Sequence, residues 1–128
     1  MVFRGVRFGY SEIFTVNRNG TGLTNVTNDS AANDHNPEWS PDGESIAFWS
    51  NRDGVEVVCH GPRRVERDSL DRQPLQDIGP VWSPDGKTIA FMSQCSGNFD
   101  IYLMAPDGTG QFALTRRPLR DGWASWQP

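Results

Sequence analysis

The pentapeptide Trp39-Ser40-Pro41-Asp42-Gly43 returns as Trp82-Ser83-Pro84-Asp85-Gly86, 43 residues further on, and this repetition limits the possible folds more than any other feature. The stretches 37–54 and 80–97 align without a gap, sharing Pro, Trp, Ser, Pro, Asp, Gly, Ile, Ala, Phe, Ser and Gly. A third copy begins at Trp126-Gln127-Pro128, where Trp126 lies 44 residues past Trp82. Repeats of about 40–45 residues built from short strands and tight turns mark β-propeller blades, small sheets that bury their faces only against neighbouring sheets. The expected fold is all-β: a partial β-propeller of about three four-stranded antiparallel blades, with repeats over about 11–36, 37–79 and 80–128.

Each period divides into four strand-sized pieces. Pro37-Glu38-Trp39-Ser40 reads as a short first strand closed by the turn Ser40-Pro41-Asp42-Gly43, in which proline presets φ and glycine supplies a positive φ on exit. The second strand, Ser45–Ser50, has its copy in Thr88–Ser93. Ile and Phe fall on one face, Ala and Trp or Met on the other, the two-sided apolar pattern of a strand sandwiched between sheets. A third strand, Asp100–Met104, matches Glu12–Val16, and Pro106-Asp107-Gly108-Thr109-Gly110 matches Arg18-Asn19-Gly20-Thr21-Gly22. The fourth strand runs to Leu114-Thr115, or to Val26-Thr27 in the first copy.

The middle copy diverges over 58–74. Where the repeat asks for a Pro-Asp-Gly turn and a Leu-Thr ending, the chain has Cys59-His60-Gly61-Pro62-Arg63-Arg64, returning to register at Asp77-Ile78-Gly79-Pro80. One account is a displaced reading frame: codons for Pro-Asp-Gly read one base early give Pro-Arg-Arg, as at 62–64, and those for Leu-Thr-Asp give Leu-Asp-Arg, as at 70–72. The other is a divergent blade edge carrying a basic loop.

Composition excludes several classes. A net charge of −4 argues against nucleic acid, whose phosphates favour basic surfaces. The sequence has no apolar run of about 18 residues, the length of a membrane-spanning helix, so no membrane insertion is expected. Met1–Phe8 lacks the apolar core and small-residue cleavage site of a secretory signal. Cys59 and Cys95 read as buried or idle thiols, with a disulfide between them as the alternative.

The block Trp-Ser-Pro-Asp-Gly-x-x-Ile-Ala-Phe, followed by Ile-Tyr-x-Met and Asp-Gly-Thr, resembles the propeller repeats of the TolB family over residues 11–57 and 77–128. Such repeats also occur in the propellers of tricorn-type and prolyl-oligopeptidase-type peptidases. The resemblance implies a blade of a six-bladed, periplasmic or extracellular propeller that binds protein partners. TolB's separate amino-terminal domain has no counterpart here, and the Gly-His and Trp-Asp pairs of WD-repeat blades are missing.

Candidate chemistry is sparse. Trp39, Trp82 and Trp126 recur once per repeat and read as packing residues between sheets. Asp42, Asp85 and Asp107 read as turn formers, without the spacing of a calcium loop. Asn28-Asp29 and Asn33-Asp34-His35 form a polar cluster in a loop that opens on one end of the propeller, where partners and ligands bind. His35 and His60 are the two histidines, too few for a recognisable metal set. Gly43-Glu44-Ser45-Ile46-Ala47 is the nearest string to a nucleophile elbow but lies inside a repeated turn and strand. Catalytic, cofactor and metal residues are accordingly none. The expected function is a non-catalytic protein-interaction scaffold, with the substrate-gating propeller of a serine peptidase as the alternative.

Three blades cannot close a ring, since closure needs about four to eight. The chain is then a piece of a longer propeller, half of a homodimeric six-bladed ring, or an open arc. In a full ring, Trp123-Ala124-Ser125-Trp126 would serve as the first strand that completes the opening blade.

Overall fold

The computed structural model describes residues 1–28, 31–52, 56–61, 76–94, 97–116 and 121–127, with 56 and 58–60 described by backbone alone. Ten strands form three antiparallel sheets, and no helix occurs among the described residues. The first sheet has the order β1 (Val2–Arg7), β2 (Tyr10–Thr15), β3 (Thr24–Asn25). The second has the order β4 (Asp34–Trp39), β5 (Ile46–Ser50), β6 (Glu56–His60). The third is a complete four-stranded blade, β7 (Asp77–Trp82), β8 (Ile89–Ser93), β9 (Asp100–Met104) and β10 (Phe112–Ala113).

The repeated turn explains itself in hydrogen bonds. Gly43 N–H donates to the Ser40 carbonyl and Gly86 N–H to that of Ser83, both at 2.9 Å. The Ser40 hydroxyl donates to Asp42 Oδ1 at 2.5 Å and accepts from Ser45 N–H at 2.9 Å. Ser83, Asp85 and Thr88 repeat this at 2.6 and 3.0 Å. Asp42 and Asp85 also accept from the amides of Glu44 and Lys87. Asp107 clamps its own turn through the amide and hydroxyl of Thr109. The hydroxyl bonds to Ser83 and Thr109, followed by the amides, hold the Asp85 and Asp107 carboxyls below their ordinary range.

Packing follows the two-sided pattern. Ile46 and Phe48 meet Ile13 of the first sheet, with Val2 and Val26 against them. Ala47, on the opposite face, joins Val57, Trp82, Ile89, Phe91 and Met104 in the core between the second and third sheets. Phe91 and Tyr102 lie 5.9 Å apart, and Phe3 stacks on Phe14 at the matching place in the first sheet at 5.7 Å.

Several expectations shift. The first strands begin earlier than Pro37, at Asp34 and Asp77. Each carries a bulge, between His35 and Glu38 and between Ile78 and Val81, with Asn36 at φ 50° and Gly79 at φ 65°. The fourth strands are only two residues long and end before Val26 and Leu114. Those residues still bond the third strand, donating to Ile13 and Ile101 carbonyls at 2.8 Å. The next residues, Thr27 and Thr115, accept the Ile13 and Ile101 amides with their hydroxyls, which is why Thr closes both copies. The middle copy holds strand structure through His60, which pairs with Ile46. The segment 62–75, with the altered Pro-Arg-Arg and Leu-Asp-Arg tripeptides, lies outside the described residues, as does Cys95 with any bond from Cys59. Residues 121–127 carry no strand assignment. Finally, β1 was not anticipated: Phe8 and Gly9, both at positive φ, close it onto β2 in a two-residue hairpin turn.

Candidate functional site

Three consecutive first-strand positions converge on one cavity of about 260 Å³, lined by Asn36, Pro37 and Glu38 of β4, Gly79, Pro80 and Val81 of β7, and Trp123 and Ala124. Asn36, Gly79 and Trp123 each lie three residues before Trp39, Trp82 and Trp126, so the cavity gathers the same repeat positions from three copies, two of them at the observed bulges. The bulges turn the backbone aside and leave room between inner strands. Asn36 is fixed by the Trp49 indole N–H, which donates to its Oδ1 at 3.0 Å. Trp123 lies across Gly79 so closely that a Cβ there would stand 2.3 Å from its ring.

Glu38 is the charged group of the cavity. Burial raises its carboxyl pKa above the ordinary value, while the Trp82 N–H, donating to Oε2 at 3.3 Å, works in the opposite direction. A half-buried carboxylate beside an exposed indole suits a hydrogen-bond donor or a cationic group. Glu38 is the one acid–base group of the lining, which has no serine, threonine or cysteine and no cationic side chain.

The polar cluster of the 28–35 loop is engaged in holding sheets together. Ser11 N–H donates to Asn33 Oδ1 at 3.0 Å, and Asn33 N–H donates to Asn51 Oδ1 at 2.7 Å. His35 stacks on Trp49 with ring centroids 4.3 Å apart, and its Nδ1 lies 3.2 Å from Arg4 Nη1. Burial, then the Arg4 charge, lowers the His35 pKa against the pull of Asp34, which fits a neutral ring accepting from the guanidinium. Asn28 accepts from Arg7 Nη1 at 3.3 Å. Asp29 and the His60 side chain lie outside the described residues. No group of three His, Cys, Asp or Glu suited to a metal ion occurs among the described residues.

The repeated tryptophans differ in exposure. Trp82 is enclosed at 4% in the core between the second and third sheets, whereas Trp39 and Trp126 are each 37% exposed. The surface that sequence reasoning missed is the β1–β2 hairpin, where Met1, Phe3, Val6, Phe8 and Tyr10 are all exposed. Arg7 lies over the Phe8 ring at 5.0 Å. The signal was present in the apolar residues around Phe8-Gly9, a turn dipeptide of the kind that joins short strands.

No protein-family profile matches the chain. A 43-residue stretch, 34% of the chain, is 46% identical to Dipeptidyl-peptidase 5 of Porphyromonas gingivalis, of which it covers 6%. Among solved structures, a protein assigned as TolB from Agrobacterium tumefaciens matches 95% of the chain with a TM-score of 0.76 at 26% identity. TolB from Acinetobacter baumannii matches 94% with a TM-score of 0.70 at 22% identity. The chain spans 44% and 31% of these two structures, less than half of each. Repeat, sheet order and structural likeness agree: the chain has the TolB-like β-propeller fold.

Proposed function

We propose that the chain is a non-catalytic β-propeller module serving as a protein–protein interaction scaffold. The observation that carries this reading is the apolar display on the first hairpin, where Met1 and Val6 are 69% exposed and Phe8 81%. Large apolar side chains grouped in water on one hairpin favour a docking partner. The partner class includes a second copy of the chain, which would complete a six-bladed ring. The reading is tested by selecting binders from a displayed peptide library against the purified chain. Val6→Ser and Phe8→Ser are expected to weaken the selected binders at least tenfold. Binders indifferent to both changes would overturn the hairpin as the working surface, and release of dipeptides from chromogenic substrates by the chain would overturn the non-catalytic reading.

The second reading, the substrate-gating propeller of a serine peptidase, is favoured by the 43-residue likeness to Dipeptidyl-peptidase 5. Peptides would then engage the cavity between the first strands, and Glu38→Gln or Trp123→Ala would release them while hairpin variants would not.

A further inference from the structure

We propose that Asn19 is a self-modifying position, at which the side-chain amide closes onto the Gly20 backbone nitrogen and water then opens the ring to aspartate. The amide and hydroxyl of Thr21 are the donors that direct the reaction. The site lies in the turn between β2 and β3, apart from the hairpin tip and the cavity.

The first argument is access. Ring closure needs the backbone nitrogen of the next residue to reach the asparagine Cγ, and a side chain on that residue stands in the way. Of the eight asparagines, Asn19 alone precedes glycine; the others precede Arg, Val, Asp, Pro or Phe. A Cβ placed on Gly20 would meet nothing within 4 Å, so the turn has room for a five-membered imide. Asn19 and Gly20 are both exposed, which admits water.

The second argument is the hydrogen bonding at the reacting carbonyl. Thr21 N–H donates to Asn19 Oδ1 at 3.1 Å, and the Thr21 hydroxyl donates to the same atom at 2.7 Å. That hydroxyl is held in turn by Asn17, whose Nδ2–H donates to it at 3.2 Å. When the Gly20 nitrogen adds to Cγ, negative charge collects on Oδ1, where both donors already point. The Cγ–Nδ2 bond then breaks, and Nδ2 leaves as ammonia with the proton that Gly20 gives up. Water attack at Cγ breaks the new bond to Gly20 and leaves aspartate. Attack at the Asn19 backbone carbonyl breaks the original link instead and leaves isoaspartate. Both donors sit on the Cγ oxygen, so they activate the route to aspartate.

The third argument is the product. Asn19 stands 88 residues before Asp107, at the same place in the repeat. Asp107 Oδ1 accepts from Thr109 N–H at 3.0 Å and from its hydroxyl at 2.6 Å, the pair of bonds that Thr21 makes to Asn19. The backbones agree as well: Asn17 N–H donates to the Thr21 carbonyl and Ala105 N–H to that of Thr109, both at 2.9 Å. In the third sheet these donors hold the Asp107 carboxyl below its ordinary range, so a turn of this build favours a carboxylate. Conversion at Asn19 therefore installs the group that the other copy already uses, and it adds one negative charge to a chain of net −4. Isoaspartate would insert a methylene into the backbone and lose the clamp.

The test uses the full 128-residue chain, incubated at neutral pH in heavy-oxygen water. Mass spectrometry of its peptides, with fragmentation that separates aspartate from isoaspartate, is expected to find the label concentrated at residue 19. Aspartate should outnumber isoaspartate in the folded chain, and the order should reverse in guanidinium chloride. Uptake at residue 19 no greater than at the other asparagines, or a product ratio unchanged by the denaturant, overturns the proposal. Thr21→Val removes one of the two donors and should slow conversion about tenfold, the worth of one hydrogen bond, while Thr21→Ser keeps the parent rate. Conversion in Thr21→Val as fast as in the parent, or faster, would mean that the clamp does not assist and overturns the role of Thr21. Asn19→Asp makes the product directly and should keep the parent's urea midpoint; a lowered midpoint refutes the fit of the product to the turn.

Discussion

Replacing Gly79 separates two forces at the centre of the cavity. Gly79 has φ 65°, where an alanine costs about 1 kcal/mol for the left-handed backbone. Its new Cβ would also stand 2.3 Å from Trp123 Cζ3. That ring is 67% exposed, so it can swing away rather than resist, and the cost is then its lost packing. A tryptophan hides up to about 250 Å² when fully buried, so a third of it is about 80 Å², or about 2 kcal/mol as an upper figure. Gly79→Ala is therefore expected to cost about 2–3 kcal/mol, which for a chain of this size lowers Tm by about 4 °C per kcal/mol. Gly79→Asn should cost about 1 kcal/mol less, since asparagine tolerates this backbone and Asn36 adopts φ 50° at the same place in β4. In a Trp123→Ala background Gly79→Ala should cost only its backbone share, so the two changes are non-additive. Urea unfolding followed by far-ultraviolet circular dichroism measures the parent and all four variants without relying on the indole that is removed. A neutral Gly79→Ala, or a cost undiminished by Trp123→Ala, would refute the reasoning.

Two further outcomes are expected. Phe91→Ala removes a side chain that is 1% exposed from the core between the second and third sheets and should cost about 3–5 kcal/mol, read as a lower urea midpoint; a loss under about 1 kcal/mol would mean the two sheets do not share one core. Glu38→Gln keeps an acceptor for the Trp82 amide but removes the charge. Because the Glu38 pKa is raised on folding, its protonated form favours the fold below the ordinary carboxylate range, and that advantage is lost as pH rises through the raised value. The variant should match the parent at acid pH and exceed it at neutral pH, and a parent that is the more stable at neutral pH would contradict this.

Whatever depends on local chemistry was legible in the sequence. The Ser-Pro-Asp-Gly turn could be read because its hydrogen bonds all lie within six residues, from Ser40 to Ser45. The two-sided strands were legible because Ile46 and Phe48 alternate with Ala47, and each set meets a different sheet. The bulges at Asn36 and Gly79 were not, since a positive φ at an asparagine inside a strand leaves no periodic trace. The cavity was missed for a related reason: Asn36, Gly79 and Trp123 occupy one repeat position but share no side-chain chemistry, and only the fold brings them together. β1 escaped because its copy of the repeat lacks the preceding Trp-Ser-Pro-Asp-Gly that labels the second strand elsewhere.

The first and third sheets differ at the threonine that closes each copy. In the third sheet the Thr115 hydroxyl reaches across to Asp121, the residue that opens the next first strand. Thr27, its counterpart, donates instead to Glu12 Oε2 of its own sheet at 2.6 Å. Asp34, which matches Asp121, is fully enclosed with neither carboxylate oxygen hydrogen-bonded. An unsatisfied buried polar group costs about 1–3 kcal/mol, more when charged. The first sheet carries Phe8 at φ 51°, a conformation that bulky residues rarely take. It also has only β2 and the two-residue β3 to hold β1. The strained Phe8 turn thus lies in the first sheet and the orphaned Asp34 carboxylate at the start of β4 in the second, while the third sheet has all four strands of a blade. Uneven packing of this kind places structural freedom at the hairpin, as the proposed interaction role requires, and leaves the tightly packed second and third sheets as its support.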